Sequence, residues 1–438
     1  MAERRQPRES GGPEGRSERP AMGRGQPRPA KSANITCEPY HAMPLGDPSR
    51  EGAEKLPATI RALGWTSFLT DLSSEAIYPL LPNFVKGLGG SAIDVGLLDG
   101  FASAVAAVVR LFAGGLSDRI GRRPLVIAGY GLSAVVRPAM GLVTTPLAAV
   151  VVRAMDRFGK GIRSAPRDAL VTDLVEPQAR GRAFGHIRSM DHAGAALGPL
   201  VAMLFLLAFP GTERALFLLA VVPGLITLAV IGKFIRDPPR QAAAGGPTLA
   251  TLTGAQWSLL GCVAVWALGA ASELFLLRRA EDLGVAQPLV PLVWFAIGAV
   301  KSAVAAWAGP LVDRLAPRRA LVAGWLGFAA AYAGLACSTS LPGAIACMLA
   351  VAAAYGVAEP AERALVAALS PAGRHGAAFG WYTLAQGLMA LPAGLLAGWL
   401  WERGPAGPAI AFAATAALAA TAAGLLAVTV RDHRPRSA

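Results

Sequence analysis

The chain has 438 residues, 54% hydrophobic and 16% charged, with 50 glycines and a mean hydropathy of +0.46. Soluble domains carry about 25% charged residues, so a water-soluble globule is excluded. The formal net charge of +13 does not indicate nucleic-acid binding, because Lys and Arg are scattered over the polar breaks between apolar runs instead of forming one patch.

Residues 1–56 are rich in Arg, Glu, Pro, Gly and Ser and nearly devoid of aliphatic side chains. Such a segment cannot bury a core, and a disordered cytoplasmic tail is expected there. No apolar signal-peptide core follows Met1; Met22 and Met43 are alternative starts. Asn34-Ile35-Thr36 matches a glycosylation sequon, which a cytoplasmic tail never presents for modification. The four cysteines, Cys37, Cys262, Cys337 and Cys347, lack metal-type spacing, and no disulfide, zinc site or cofactor is expected.

Twelve apolar runs follow, each near the ~20 residues a helix needs to cross ~30 Å of hydrocarbon. They cover 60–84, 95–116, 125–143, 147–166, 184–209 and 215–235, then 257–277, 289–311, 321–337, 345–365, 379–400 and 409–430. None alternates with period two, and backbone groups in lipid must be bonded within their own segment. The expected fold class is therefore an all-α membrane protein of twelve transmembrane helices. Its expected divisions are an amino-terminal six-helix bundle at 57–235, a cytoplasmic linker at 236–253, a carboxy-terminal six-helix bundle at 254–431 and a short cytoplasmic tail at 432–438.

Every second break between runs is basic, with Arg119, Arg122 and Arg123, then Arg180 and Arg182, then Lys233, Arg236 and Arg240. The pattern continues with Arg314, Arg318 and Arg319, and then Arg374. Intervening breaks such as 143–146 and 338–342 lack this excess, and Arg278 and Arg279 are balanced by Glu281 and Asp282. Basic loops remain on the cytoplasmic side, which puts both termini there, in an inner or plasma membrane.

The sequence is built twice. Gly114-Gly115-Leu116-Ser117-Asp118-Arg119-Ile120-Gly121-Arg122-Arg123 recurs in degraded form from Gly309 through Asp313 and Arg314 to Arg318 and Arg319, an offset of 195 residues. The same offset lays Ala169-Leu170-Val171 on Ala364-Leu365-Val366, and Ala183-Phe184-Gly185 on Ala378-Phe379-Gly380. Ala316 stands where the repeat calls for the counterpart of Gly121. In the first copy Gly114 permits close helix approach and Gly121 a tight turn. Asp118, beside Arg119, Arg122 and Arg123, is a carboxylate able to exchange ion-pair partners.

These residues resemble the major facilitator superfamily of secondary transporters, over the whole chain after the tail. Residues 114–123 are similar to that family's loop between helices 2 and 3. Arg153 with Gly159 and Gly161 resembles its fourth-helix motif, and Gly194 with Gly198 and Pro199 its fifth-helix motif, although that motif has no further glycine after Pro199. The resemblance implies two pseudo-symmetric six-helix bundles, with helices 1 and 4 lining a central cavity and helix 5 beside it. It also implies that Asp118 holds one end state by facing the start of the eleventh helix near Gly376 to Phe379. Asp313 and Arg314 are the matching gating residues of the second half.

An ionisable residue inside a membrane costs at least ~2.5–3.5 kcal/mol at mid-helix and is functional by default. In the fourth run Arg153, Asp156, Arg157, Lys160 and Arg163, with Ser164 and Arg167, fall in an arc of roughly 120°. Arg163 and Arg167 lie toward its cytoplasmic end and are expected to snorkel. The first run places Ser67, Asp71, Ser74, Glu75 and Tyr78 within roughly 100°, and the fifth adds Arg188, Asp191 and His192. Expected ion pairs join Asp71 to Arg153 or Arg157, and Asp156 to Arg188. Asp71 and Glu75 are candidate proton carriers and His192 a candidate relay. Asp99 reads as a solvated residue near the outer surface, and Glu362 as one at the cytoplasmic edge. In the second half Glu273, Lys301 and Glu359 are expected to face the cavity, with Trp266 and Tyr355 as aromatic walls and Gln386 as a further polar group.

The expected function is alternating-access transport of a small-molecule substrate, driven by protons and exporting an organic solute or drug. Uptake of an anionic metabolite is the alternative, motivated by the arginines of the fourth run, and a non-transporting membrane sensor of the same fold is the alternative from another class. No GxxxxGK[ST], HExxH or GxSxG motif occurs, which argues against an ATP-driven pump or an enzyme. The expected partners are that substrate, protons and the lipid bilayer, with no nucleic acid, and the expected state is monomeric.

Overall fold

A computed structural model describes residues 56–176, 180–235, 252–270, 272–314, 316–370 and 375–430, without the side chains of 118, 180, 181, 309–314 and 375–377. The expected disordered tail, most of the linker with Arg236 and Arg240, Arg374 and the carboxy-terminal tail lie outside the described residues.

All regular structure among the described residues is helical. The first half comprises α1 (Ala58–Ile77), a 3-10 turn (Tyr78–Leu80), α2 (Leu81–Gly87), α3 (Ala92–Ile120), α4 (Arg122–Ala139), α5 (Pro146–Leu174), α6 (Arg180–Ala208), α7 (Glu213–Leu219) and α8 (Val221–Phe234). The second comprises α9 (Gly254–Gly269), α10 (Leu274–Asp282), α11 (Val290–Arg314), α12 (Pro317–Cys337), α13 (Leu341–Ala368), α14 (His375–Trp401) and α15 (Gly407–Thr429). Ten helical stretches are long and apolar enough to cross a membrane. Outside that set are the first and fourth expected runs, α1 with α2 and α5, which are rich in charged and hydroxyl side chains.

Local chemistry sets the helix ends. Ser91 caps α3 by accepting from the Asp94 N–H, while the Asp94 carboxylate accepts from the Ser91 N–H, a reciprocal arrangement that satisfies two end donors. Thr253 and Gln256 do the same for α9. Between α3 and α4, Gly121 has φ 101°, a conformation that a side chain strains. Its repeat counterpart Ala316 has φ −60°, so the second turn has a different course and needs no glycine there.

Two interruptions share one repeat position. The 3-10 turn after α1 begins at Tyr78, and the α9–α10 break includes Glu273, 195 residues later. Irregular backbone at membrane depth is tolerated where it lines a cavity, and both residues do so.

The repeat is also visible in the packing. In the first half α1 packs on α6 and α8, α5 on α3 and α4, and α4 on α8. The corresponding second-half pairs are all present: α9 with α14 and α15, α13 with α11 and α12, and α12 with α15. Between the halves, α3 meets α14 and α6 meets α11, the two crossings that a pseudo-twofold relation exchanges.

Small residues let the α3 and α14 backbones touch at one end. A Cβ on Gly96 would lie 2.0 Å from the Gly394 carbonyl oxygen, and one on Gly398 2.6 Å from that of Ala92. Toward the other end a Cβ on Gly380 would meet nothing nearer than Leu111 at 3.8 Å, and one on Gly115 nothing within 4 Å. The helices thus converge at the Ala92 end. Within the first half, Cβ atoms on Gly194 and Gly198 would fall 2.4 Å and 2.6 Å from the Phe68 and Leu72 carbonyls of α1. Pro199 continues the same helix. Helices α3 and α5 approach closely at Gly161, whose added Cβ would sit 2.9 Å from the Ala106 carbonyl, whereas one on Gly114 would meet only Ala165 at 3.8 Å.

Candidate functional site, a cavity between the halves

A cavity of about 510 Å³ lies between the halves, with α1, α3 and α5 contributing one wall and α9 and α11–α14 the other. Helix α5 divides its polar residues between two stripes. Arg157, Lys160 and Ser164 line the cavity, whereas Arg153, Asp156 and Arg163 are 4–5% exposed and point into the first half.

The inward stripe is closed by ions. Asp156 pairs with Arg137 at 2.9 Å and with Arg153 at 3.9 Å, and Arg153 reaches Asp99 at 3.5 Å. Arg137 also donates to the Thr70 carbonyl at 2.9 Å and to Ser73. Arg163 donates to Ser133 at 2.8 Å and lies 4.5 Å from the centroid of the Tyr130 ring. It therefore packs inside the bundle and does not snorkel. Arg167 likewise turns inward, donating to Ser67 at 2.9 Å and lying 3.8 Å from Asp191.

The expected pairings are corrected by this network. Asp156 is held by Arg137, on α4, and not by Arg188, which pairs with Asp191 at 3.6 Å one helical turn away. Asp71 is half-buried and has no cation within 4 Å among the described residues. A helical wheel gives a residue's face but not the neighbour that face meets. Asp191, His192 and Arg188 do not line the cavity, and His192 is exposed.

The polar groups of the cavity make bonds between elements that no single helix reveals. Asp99 accepts from Tyr78 at 3.2 Å and from Ser272 of the second half at 2.7 Å, so it is a bridge and not a solvated surface group. Glu75 accepts from the Trp294 indole N–H at 2.9 Å, again across the halves. At the rim Glu402 accepts from the Ala92 N–H at 2.8 Å. Together with the α3–α14 contact these bonds seal the Ala92 end. Arg110 and Arg137 each interrupt an otherwise apolar run, the sequence signal that marks them.

On the second wall Lys301 lies 3.6 Å from Glu273 and 3.9 Å from the centroid of the Tyr355 ring. Trp266, Tyr355 and Gln386 line the cavity. Glu359 pairs with Arg363 at 2.9 Å and is not on the wall. Glu362, expected at the cytoplasmic edge, is 3% exposed. It accepts from Trp325 at 3.0 Å, from Gln386 at 3.2 Å and from Tyr382.

In the loop motif Arg122 donates to Ser117 at 2.7 Å and pairs with Asp173 at 3.2 Å, while Arg123 donates to the Gly232 carbonyl at 3.4 Å. Arg119 is exposed. The side chains of Asp118, Asp313 and Arg314 lie outside the described residues.

Two packed helical repeats around a central polar cavity, sealed at one end, define a membrane transporter of small solutes. The family model for the Major Facilitator Superfamily matches residues 63–276 and 248–438, and the chain belongs to that superfamily. It is accordingly a multi-pass protein of the cell membrane and not an enzyme. An uncharacterized MFS-type transporter of Methanocaldococcus jannaschii is 28% identical over 369 residues, covering 82% of this chain and 92% of that protein. The multidrug resistance protein MdtH of Cronobacter sakazakii is 33% identical over 147 residues, covering 32% of this chain and 37% of its own. Among solved structures, a bacterial homolog of the human lysosomal transporter Spinster, inward-facing and occupied, superposes with a TM-score of 0.72. It is 18% identical and covers 85% of this chain and 96% of that one, a likeness of fold.

Proposed function

We propose that the protein is a proton-driven secondary transporter that exports an organic solute by alternating access, described here with its cavity open to the cytoplasm. The one-ended cavity carries this reading: Glu402, Ser272 and Trp294 of the second half bond Ala92, Asp99 and Glu75 of the first. The basic loops at the opposite end support its lying on the cytoplasmic side.

Proton coupling is supported by Glu75 and Asp71, membrane-depth carboxyls without a cation within 4 Å among the described residues. An ionised carboxylate makes a hydrogen bond about twice as strong as a neutral one, so protonating Glu75 weakens a bond that joins the halves. Arg153, Asp156 and Arg188 have positioning roles in this reading, Arg157, Lys160, Glu273 and Lys301 face the solute, and the Asp118 segment engages when the opposite end closes. Export is supported by the partial similarity to MdtH.

Purified protein in liposomes tests the proposal. Solute flux is expected to follow an imposed pH gradient, and Glu75→Gln is expected to keep solute binding while losing the response to pH. Binding without flux under any gradient would instead identify a sensor.

A further inference from the structure

We infer that the solute is an amphiphilic organic anion, its head held by Arg110, Arg157 and Lys160 and its apolar body laid against Tyr355 and the ring edges of Trp266 and Phe328. This rests on the transporter reading and names its cargo.

The argument begins with the charges on the cavity wall. Lys301 and Glu273 neutralise each other at 3.6 Å. Asp99 is occupied by Arg153, Tyr78 and Ser272, and Glu75 accepts from Trp294. Asp156, the acid adjacent to Arg157 in sequence, is held by Arg137 on the far side of α5. The side chains of Arg110, Arg157 and Lys160, all on the wall, form no ion pair or hydrogen bond among the described residues.

These three cations belong to one surface. Arg157 and Lys160 are one helical turn apart on α5, and Arg110 is on α3, which touches α5 at Gly161 and Ala106. Arg110 and Arg157 are half-buried and Lys160 is exposed to the cavity, so their charges are within reach of a solute that enters it. Positive charge concentrated on one wall, with Glu273, Asp99, Asp156 and Glu75 bonded elsewhere and Asp71 off the cavity wall, fits a counter-ion that arrives with the cargo. Guanidinium forks and an ammonium suit a carboxylate, sulfonate or phosphate head.

The opposite wall has different chemistry. Trp266 lies 5.9 Å from Phe328 and 6.0 Å from Tyr355 between ring centroids, and Phe328 lies 4.6 Å from Tyr332. Trp266 and Phe328, 4% exposed, bring ring edges to the cavity beside the half-buried Tyr355, an aromatic lining that suits an apolar or aromatic body. The Trp266 indole N–H, in a residue 4% exposed, has no acceptor among the described residues, so the wall's spare capacity is again for donating. A cavity of about 510 Å³ is within the range for drug-sized ligands.

The test uses full-length purified protein and three probes sharing one body: naphthalene-1-acetate, its uncharged amide and the matching naphthyl quaternary ammonium. The anion alone is expected to raise the thermal unfolding midpoint. Arg157→Gln and Lys160→Gln are each expected to weaken its binding by about 10- to 100-fold, the loss expected for a charge-assisted hydrogen bond. Equal shifts by all three probes, a larger shift by the cation, or no shift by the anion overturns the inference. The wild-type comparison needs no variant to fold. Selective anion binding without flux in liposomes defeats the transporter reading and leaves the ligand class standing. Carriage of the cation under a pH gradient does the reverse.

Discussion

The halves share a packing plan but stabilise their interiors differently. In the first, a chain of ions runs through the interior: Arg137 to Asp156, Asp156 to Arg153, and Arg153 to Asp99. In the second, the interior is an aromatic cluster that includes Trp266, Trp325, Phe328 and Tyr332, and Glu362 is held by neutral donors. One scaffold can thus fix a wall of cations, unpaired among the described residues, opposite one whose charges are paired and whose lining is aromatic. The inward stripe of α5 anchors the helix, which holds Arg157 and Lys160 at the cavity without engaging them.

The largest expected effect tests the ionic half. Asp156→Asn leaves Arg137 and Arg153 without their shared counter-charge and is expected to lose about 3–5 kcal/mol, the cost of breaking a buried pair by removing one partner. Denaturant unfolding in detergent measures it. Glu362→Gln in the other half leaves no buried cation exposed by the change and mismatches only neutral donors, for an expected loss of about 1–3 kcal/mol. Equal losses from the two substitutions would break the contrast between the halves.

Next is the contact that joins them. Gly96→Ala puts a methyl group where the Gly394 carbonyl is 2.0 Å away, an overpacking of about 1–3 kcal/mol confined to the conformation in which α3 and α14 converge. The expected result is greater opening at the Ala92 end with the bundles themselves unaffected, read by spin-label distances between α3 and α14. A loss of helicity would place the damage within a half instead.

Much of the fold was legible because its determinants are local or periodic. Apolar run length marked the helices, and the 195-residue offset linked Gly121 with Ala316, while the matching helix interruptions at Tyr78 and Glu273 emerged only from the fold. Glycines such as Gly194 and Gly198 were found by motif, although their role against Phe68 and Leu72 required the partner helix. The charged residues of α5 were also found, but their pairings were not. Asp156 meets Arg137 across 19 residues, and Asp99 meets Ser272 across 173, so no single-helix periodicity connects them. Arg163 was misjudged for the same reason: its distance from the helix end suggested snorkelling, while Ser133 and Tyr130 on α4 supply partners inside.

The smallest effect concerns the rim, where the two halves meet through a single exposed carboxylate. Glu402, beyond the end of α14, accepts from Ala92 at the start of α3, and a carboxylate there also interacts with the positive end of the helix dipole. Because Glu402 is exposed, the contribution is about 0.3–1 kcal/mol and weakens with salt. Glu402→Gln keeps an acceptor but removes the charge. It is therefore expected to raise the open fraction at that end by up to about fivefold, without changing the unfolding midpoint. Labelling of Ser103→Cys, on the cavity wall, by an impermeant thiol reagent from the Ala92 side reads this directly in a background lacking the native cysteines. High salt should raise labelling of the unsubstituted rim toward the level of Glu402→Gln, and should add little once the carboxylate is gone. An unchanged labelling rate would leave the glycine contacts of α3 and α14 as the seal, and would make the rim bond a consequence of closure and not a cause.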